Sequence, residues 1–347
     1  MKEKDKIVDL LLTKLELRDV LNAVTTIFQA EQDVSNYNKI KDIINDNADL
    51  LEQTQNIHSF FGIYWNTLIR SFIYNLNGEL ERLLKIRSEI ISLWNKNYEI
   101  KEEYYYQYLF DLNNLMITYA KLNQQEKVFE LLQKLEHEKP RNYFDQVWIF
   151  KRVAIKKLIY FMTKGAFNEA LLLVPNIESG LKKYNLNIAS KITLIINVST
   201  LYYCIEDFQS CLKWANKIVN SLKSNLRLDA QRVIRLLGII AQIELENDYE
   251  TIDNFFRSTR RFFKKTGIKE KNQSESILLD YLWKYNDSNK SKQKDVLVNF
   301  KLEIEKMKND KKLISMLGLD ELYFWIRSKL EKKPMAQLIK ESYNSGN

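Results

Sequence analysis

Apolar residues in this chain recur with helical spacing, and the helical stretches themselves recur. After an apolar run that carries Tyr202, expected as a core aromatic, and ends at Glu206-Asp207, Phe208, Cys211, Leu212, Ala215 and Ile218 step by three or four and share one helix face. The pattern predicts a helix, a tight turn and a second helix. It is repeated upstream by Phe161, Gly165, Phe167, Ala170, Leu171, Val174 and Ile177. Before that come Leu112, Leu115, Tyr119, Val128, Phe129, Leu132 and Leu135, and then Tyr74, Gly78, Leu80, Leu83, Leu84 and Ile90. A weaker copy runs through Ile27, Phe28, Tyr37, Ile40 and Ile44, and another follows downstream at Ile243, Tyr249, Ile252 and Phe256. Intervals of 41 to 45 residues between the well-matched copies predict a repeat architecture.

Composition sharpens this to an all-α fold. With 8 Gly and 3 Pro in 347 residues, tight β-turns and bulges are scarce. One helix pair cannot bury both sides of its apolar stripe, so pairs are expected to stack into an α-solenoid. The expected organisation is an N-terminal helical segment over 1–19, an array of helix pairs over 20–266, and a loosened repeat with a C-terminal helical cap over 267–347. In that last part Ser274–Tyr285 and Val296–Met307 are expected to pair across the polar run 286–294. Residues 313–330 form amphipathic helix, and Pro334 starts a last short one.

The units resemble the tetratricopeptide repeat (TPR). The family places an aromatic late in the first helix, a small residue at the turn, an aromatic opening the second helix and a small residue three positions later. The segment FMTKGAFNEAL, Phe161 to Leu171, carries that pattern in Gly165, Phe167 and Ala170. Cys211, Val128 and Ile252 replace the small residue elsewhere, and the period exceeds the family's usual ~34 residues. Units of this length are similar to those of bacterial regulatory proteins in the superfamily. The resemblance implies right-handed stacking of antiparallel helix pairs, with the first helices lining a concave groove that binds a peptide or protein segment. It also implies where an anionic group of that peptide is gripped: Asn114, Arg152 and Lys156 fall on the matching positions, while Leu68 and Phe72 occupy the places of the other two clamp members.

Charge points to an acidic partner. The net charge of +8 divides into −5 over residues 1–150 and +13 over 151–347, and a basic half favours an acidic peptide, nucleic acid or an anionic surface. A second candidate is the stripe Arg257, Arg260, Arg261, Lys264 and Lys265, whose spacing places five cations on one helix face where nucleic acid phosphates could bind. The alternative is the solvated face of a helix in a Lys-rich protein. Tyr104, Tyr105, Tyr106 and Tyr108 cover several sides of a helix, so at least one is expected in the core. The six tryptophans, spread about one to a unit, read as packing.

The chemistry that the sequence lacks argues against an enzyme. His58 and His137 lie in separate units without Cys or acidic partners at ligand spacing, so no metal and no cofactor is expected. There is no phosphate-cradling glycine loop, nucleophile elbow or paired-histidine zinc motif. Glu244, Glu246, Asp248 and Glu250 cluster at a turn and read as solvated. Residues 1–55 show no helix-turn-helix nucleic-acid reader. The N-terminus lacks the apolar core of a signal peptide, and the longest uncharged run near the centre, Ile192 to Ile205, has 14 residues, too few for a membrane span. Cys204 and Cys211 are expected as reduced core thiols in a cytoplasmic protein. The functional expectation is a non-enzymatic scaffold for protein–protein interaction, with a nucleic-acid-associated or regulatory role of the basic half as the alternative.

Overall fold

A computed structural model of the chain describes residues 2–29, 34–52, 57, 59–219, 226–266, 271–309 and 318–345, with no strand among them. Their contacts divide the chain into two units, 1–141 and 142–347.

The first unit comprises α1 (Lys2–Gln29), α2 (Val34–Asp46), α3 (Ala48–Glu52), α4 (Phe60–Leu76), α5 (Leu80–Lys96), α6 (Tyr98–Glu103), α7 (Tyr105–Lys121) and α8 (Gln125–His137). Leu17, Val24, Ile40 and Ile69 bring α1, α2 and α4 into one core cluster. Helix α5 buries Leu83, Ile86, Ile90 and Trp94, spaced by three or four, and packs against α4 and α7. Each such side chain contributes roughly 1.5–3 kcal/mol on burial.

The second unit comprises α9 (Tyr143–Thr163), α10 (Phe167–Leu171), α11 (Val174–Lys183), α12 (Ile188–Cys204), α13 (Phe208–Val219), α14 (Leu228–Glu244), α15 (Tyr249–Thr266), α16 (Lys271–Asp287), α17 (Lys290–Asn309), α18 (Leu319–Glu331) and α19 (Met335–Asn344). One core runs from Ala154 through α12 and α14 to Met335. Helix α12 packs against α9, α13 and α14, which explains why its apolar residues are not confined to one stripe. The small or medium residue three positions into each second helix is buried: Val128, Ala170, Cys211 and Ile252. Both cysteines are buried and unbridged.

A single turn geometry recurs through both units. Gly78, Asn123, Gly165, Glu206 and Glu246 all have positive φ, between 52° and 71°, and stand 45, 42, 41 and 40 residues apart. Around each, the amide of the next residue donates back five positions: Glu79 to Tyr74, Gln124 to Tyr119, Ala166 to Phe161, Asp207 to Tyr202 and Asn247 to Gln242. The left-handed residue itself donates back three, as Gly165 does to Met162 and Glu206 to Tyr203. This pair of bonds satisfies carbonyls left over at a helix C-terminus. First helices open on polar side chains: Ser59 accepts from the Gly62 amide, Asn142 from Asp145 and Asn187 from Ser190.

Three expectations are corrected. Tyr202 was expected in the core, but Tyr203 is the fully buried residue and Tyr202 is only half-buried; the carbonyl of Tyr202 serves the turn. The second helix after Gly165 is broken into α10 and α11 where Pro175 enters the first turn of α11, because proline has no N–H to continue the ladder. The polar run 286–294 is mostly helical, since α16 ends at Asp287 and α17 begins at Lys290, leaving Ser288 and Asn289 as the link. Part of the amphipathic stretch over 313–330 lies outside the described residues, which resume at Gly318.

The C-terminal helices do more than follow α17. Helix α18 packs on α17, and it also reaches back to earlier pairs. The Trp325 indole donates to Glu244 Oε1 at 2.9 Å, Lys329 pairs with the other oxygen of Glu244, and the Tyr203 hydroxyl approaches the Glu321 carbonyl at 3.5 Å. Helix α19 reaches further, to the turns at Glu206 and Gly165.

Candidate anion-binding face

Helix α9 is held by one buried side, made of Trp148, Ile149, Val153, Ala154, Leu158 and Tyr160. The helix also carries four cations within seven residues, Lys151, Arg152, Lys156 and Lys157, of which Lys157 is buried. Arg152 and Lys156 are one turn apart and lie on the same face. The Arg152 guanidinium stands 5.5 Å from the centre of the Trp148 ring, which fixes it as a cation–π contact.

Two lysines of this face stand out electrostatically. Lys151 and Lys156 are half-buried, and neither makes an ion pair with a described carboxylate. Burial, and then the neighbouring Arg152 charge, pull both ammonium groups below the usual lysine range. A carboxylate or phosphate placed here would relieve both effects at once.

Asn114, the third residue that the resemblance assigns to the clamp, lies in the first unit. It is half-buried in α7, and its carbonyl accepts from Arg87 Nη1 at 2.8 Å and from Thr118 Oγ1 at 3.0 Å.

The basic stripe on α15 is partly neutralised. Arg257 pairs with Asp253 at 2.7 Å and Arg260 with Asp280 at 3.2 Å, while Arg261, Lys264 and Lys265 are exposed. Phe256 and Phe263 point into the core, so they present no ring for a base to stack on. Of the tyrosine run, Tyr105 and Tyr108 are buried and Tyr104 and Tyr106 exposed. Tyr105 donates to Glu138 at 3.0 Å beneath the Arg141 guanidinium, 3.6 Å from its ring.

One strongly perturbed carboxyl group is hidden by the periodicity. Asp111 of α7 is 3% exposed. Its Oδ2 accepts from the Tyr64 hydroxyl and from Trp94 Nε1, each at 2.9 Å, and Gln107 donates to the Tyr64 oxygen at 2.8 Å. Its Oδ1 has no hydrogen-bond partner. Burial pushes the carboxyl up to about 7, against the opposing pull of Trp94, Tyr64 and the Arg87 charge. The signal in the sequence is a lone acid in the apolar run YLFDLNNLM, at the core spacing of Tyr108, Leu112 and Leu115.

Among the described residues there is no group of three or more His, Cys, Asp and Glu able to hold a metal ion, and no helix long and apolar enough to cross a membrane. His58 lies outside the described residues. No protein-family model, curated protein or solved structure matches the chain.

Proposed function

We propose that this chain is a non-enzymatic interaction scaffold, a right-handed array of antiparallel TPR-like helix pairs that grips an acidic segment of a peptide or protein along α9. The supporting observation is the pair of half-buried lysines, Lys151 and Lys156, crowded by Arg152 and with no ion pair to a carboxylate among the described residues. An all-helical chain whose pairs repeat at 40 to 45 residues supports the architectural part of the reading. The nucleic-acid alternative has less support, because Arg257 and Arg260 already have carboxylate partners. A cytoplasmic location goes with this reading.

The test is selection from a random peptide library on the parent protein and on Arg152→Glu/Lys156→Glu. Acidic peptides should be enriched on the parent and lost on the variant, with the helical circular dichroism unchanged. Equal enrichment on both proteins would overturn the clamp.

A further inference from the structure

Charged side chains inside a protein are almost always paired, because an uncompensated buried charge is costly. Helix α14 carries two arginines, Arg232 and Arg235, that meet this requirement differently. Arg232 Nη1 pairs with Glu275 of α16 at 3.1 Å, and its Nη2 donates to the Thr266 carbonyl at the end of α15. Its charge is balanced by a carboxylate that is itself only 4% exposed.

Arg235, three residues on, is 8% exposed and has no such partner among the described residues. Its Nη1 donates at 2.8 Å to the Gln231 carbonyl, one turn back in the same helix. The guanidinium lies 3.6 Å from the centre of the Phe262 ring of α15. A cation–π contact of this kind offsets only part of the cost of burying a full charge. Burial pulls the group down to about 10, with no carboxylate opposing it, so it still carries its proton at neutral pH. A guanidinium offers several N–H donors in a planar fork, and the bond to Gln231 uses one side of it.

The surroundings suit a ligand rather than a second internal partner. The stack on Phe262 and the bond to Gln231 fix the plane of the fork, so the receptor is organised before an anion arrives. Arg261 and Lys265, which precede and follow Phe262 in α15, are exposed and add positive potential.

We propose that Arg235 anchors a second anion site, one that takes a small oxyanion, phosphate or carboxylate, on the edge of the guanidinium that Gln231 leaves free. Two oxygens of such a group match the fork and supply the counter-charge that Arg235 lacks. The basic stripe of α15 then has a different role from that of a phosphate face in its own right. Its exposed cations raise the local anion concentration, and the buried arginine selects. The site uses none of the cationic positions of α9, so it stands or falls independently of the scaffold reading.

The test is isothermal titration calorimetry of the full chain with inorganic phosphate and, separately, with acetate, at constant ionic strength. The parent should show saturable binding of one or both, and the anion that binds identifies the chemistry. Arg235→Met keeps the aliphatic stem and removes the charge. Its affinity should fall at least about tenfold, while its thermal midpoint in chloride alone should equal or exceed that of the parent. Arg235→Lys keeps a charge but loses the fork, and its affinity should lie between the two. Absence of saturable heat with either anion up to about 10 mM would overturn the proposal. So would equal affinities in the parent and both variants, which would place the anion on the surface cations. A thermal midpoint of Arg235→Met several degrees below the parent in chloride would also overturn it, since the charge would then be satisfied within the fold.

Discussion

Trp94 donates its indole N–H to Asp111 Oδ2 at 2.9 Å, inside a packed interface between α5 and α7. Asp111 is thereby fixed as an acceptor, yet its other oxygen has no partner. The folded carboxyl holds its proton up to about 7, whereas an unfolded one releases it near 4 (~3.9). Between those values the folded state binds the extra proton. The stability this gives is complete below the unfolded value and is lost as the pH rises to about 7. Asp111→Asn keeps an acceptor for Trp94 and Tyr64 and cannot ionise. We expect the unfolding free energy of the parent, read by urea denaturation, to fall more than that of the variant between pH ~5 and ~8, by a difference on the order of 1–3 kcal/mol. Parallel pH profiles would contradict the assignment.

Gly78 and Gly165 hold the same turn in different surroundings. Both have positive φ, but a Cβ on Gly78 meets nothing within 4 Å, while on Gly165 it meets the Lys340 backbone. Gly78→Ala should cost about 1–2 kcal/mol from the left-handed conformation alone. Gly165→Ala should cost about 1–3 kcal/mol more, from crowding. Chemical denaturation of the two variants checks the order.

Lys156 is half-buried beside Arg152 with no counter-ion among the described residues, so stability and binding should trade off there. Lys156→Met keeps the aliphatic stem and removes the charge. It is expected to raise the thermal midpoint by about 2–4 °C while weakening the selected acidic peptides. Loss of both stability and binding would mean that the ammonium is satisfied in the fold.

The stripe on α15 gives a separate test. With Arg257 and Arg260 paired, three exposed cations are left, Arg261, Lys264 and Lys265. Gel-shift titrations of single- and double-stranded nucleic acid should show no retardation at physiological salt, and any at low salt should vanish in Arg261→Glu/Lys264→Glu/Lys265→Glu. Retardation that survives physiological salt would favour the nucleic-acid reading.

The repeat was legible because its turn leaves a residue-level mark. Only a few side chains tolerate a left-handed backbone, and Gly78 and Gly165 announce it; Asn123, Glu206 and Glu246 adopt it without having been read as the turn residue. Spacing alone could not assign Tyr202 and Tyr203, since adjacent aromatics both fit a loose periodicity. Polar residues 290–294 looked like a loop because they carry no apolar stripe, although nothing in them opposes helix. Asp111 was hidden because a sequence shows an acid's charge, not the Trp94 and Tyr64 donors brought to it from other helices. The return of α18 and α19 to Glu244 and Glu206 depends on contacts between residues 81 to 129 apart, and no local pattern encodes these.

The left-handed turns hold one geometry while the distance between them changes from 45 to 40 residues. The difference in length is therefore absorbed elsewhere, in the second helices and in the links that lead to the next pair, such as the segment around Pro140. Insertions and deletions during divergence should collect in those links, and an engineer who wishes to graft a tag or a loop into this chain should cut there and leave the glycine turns intact.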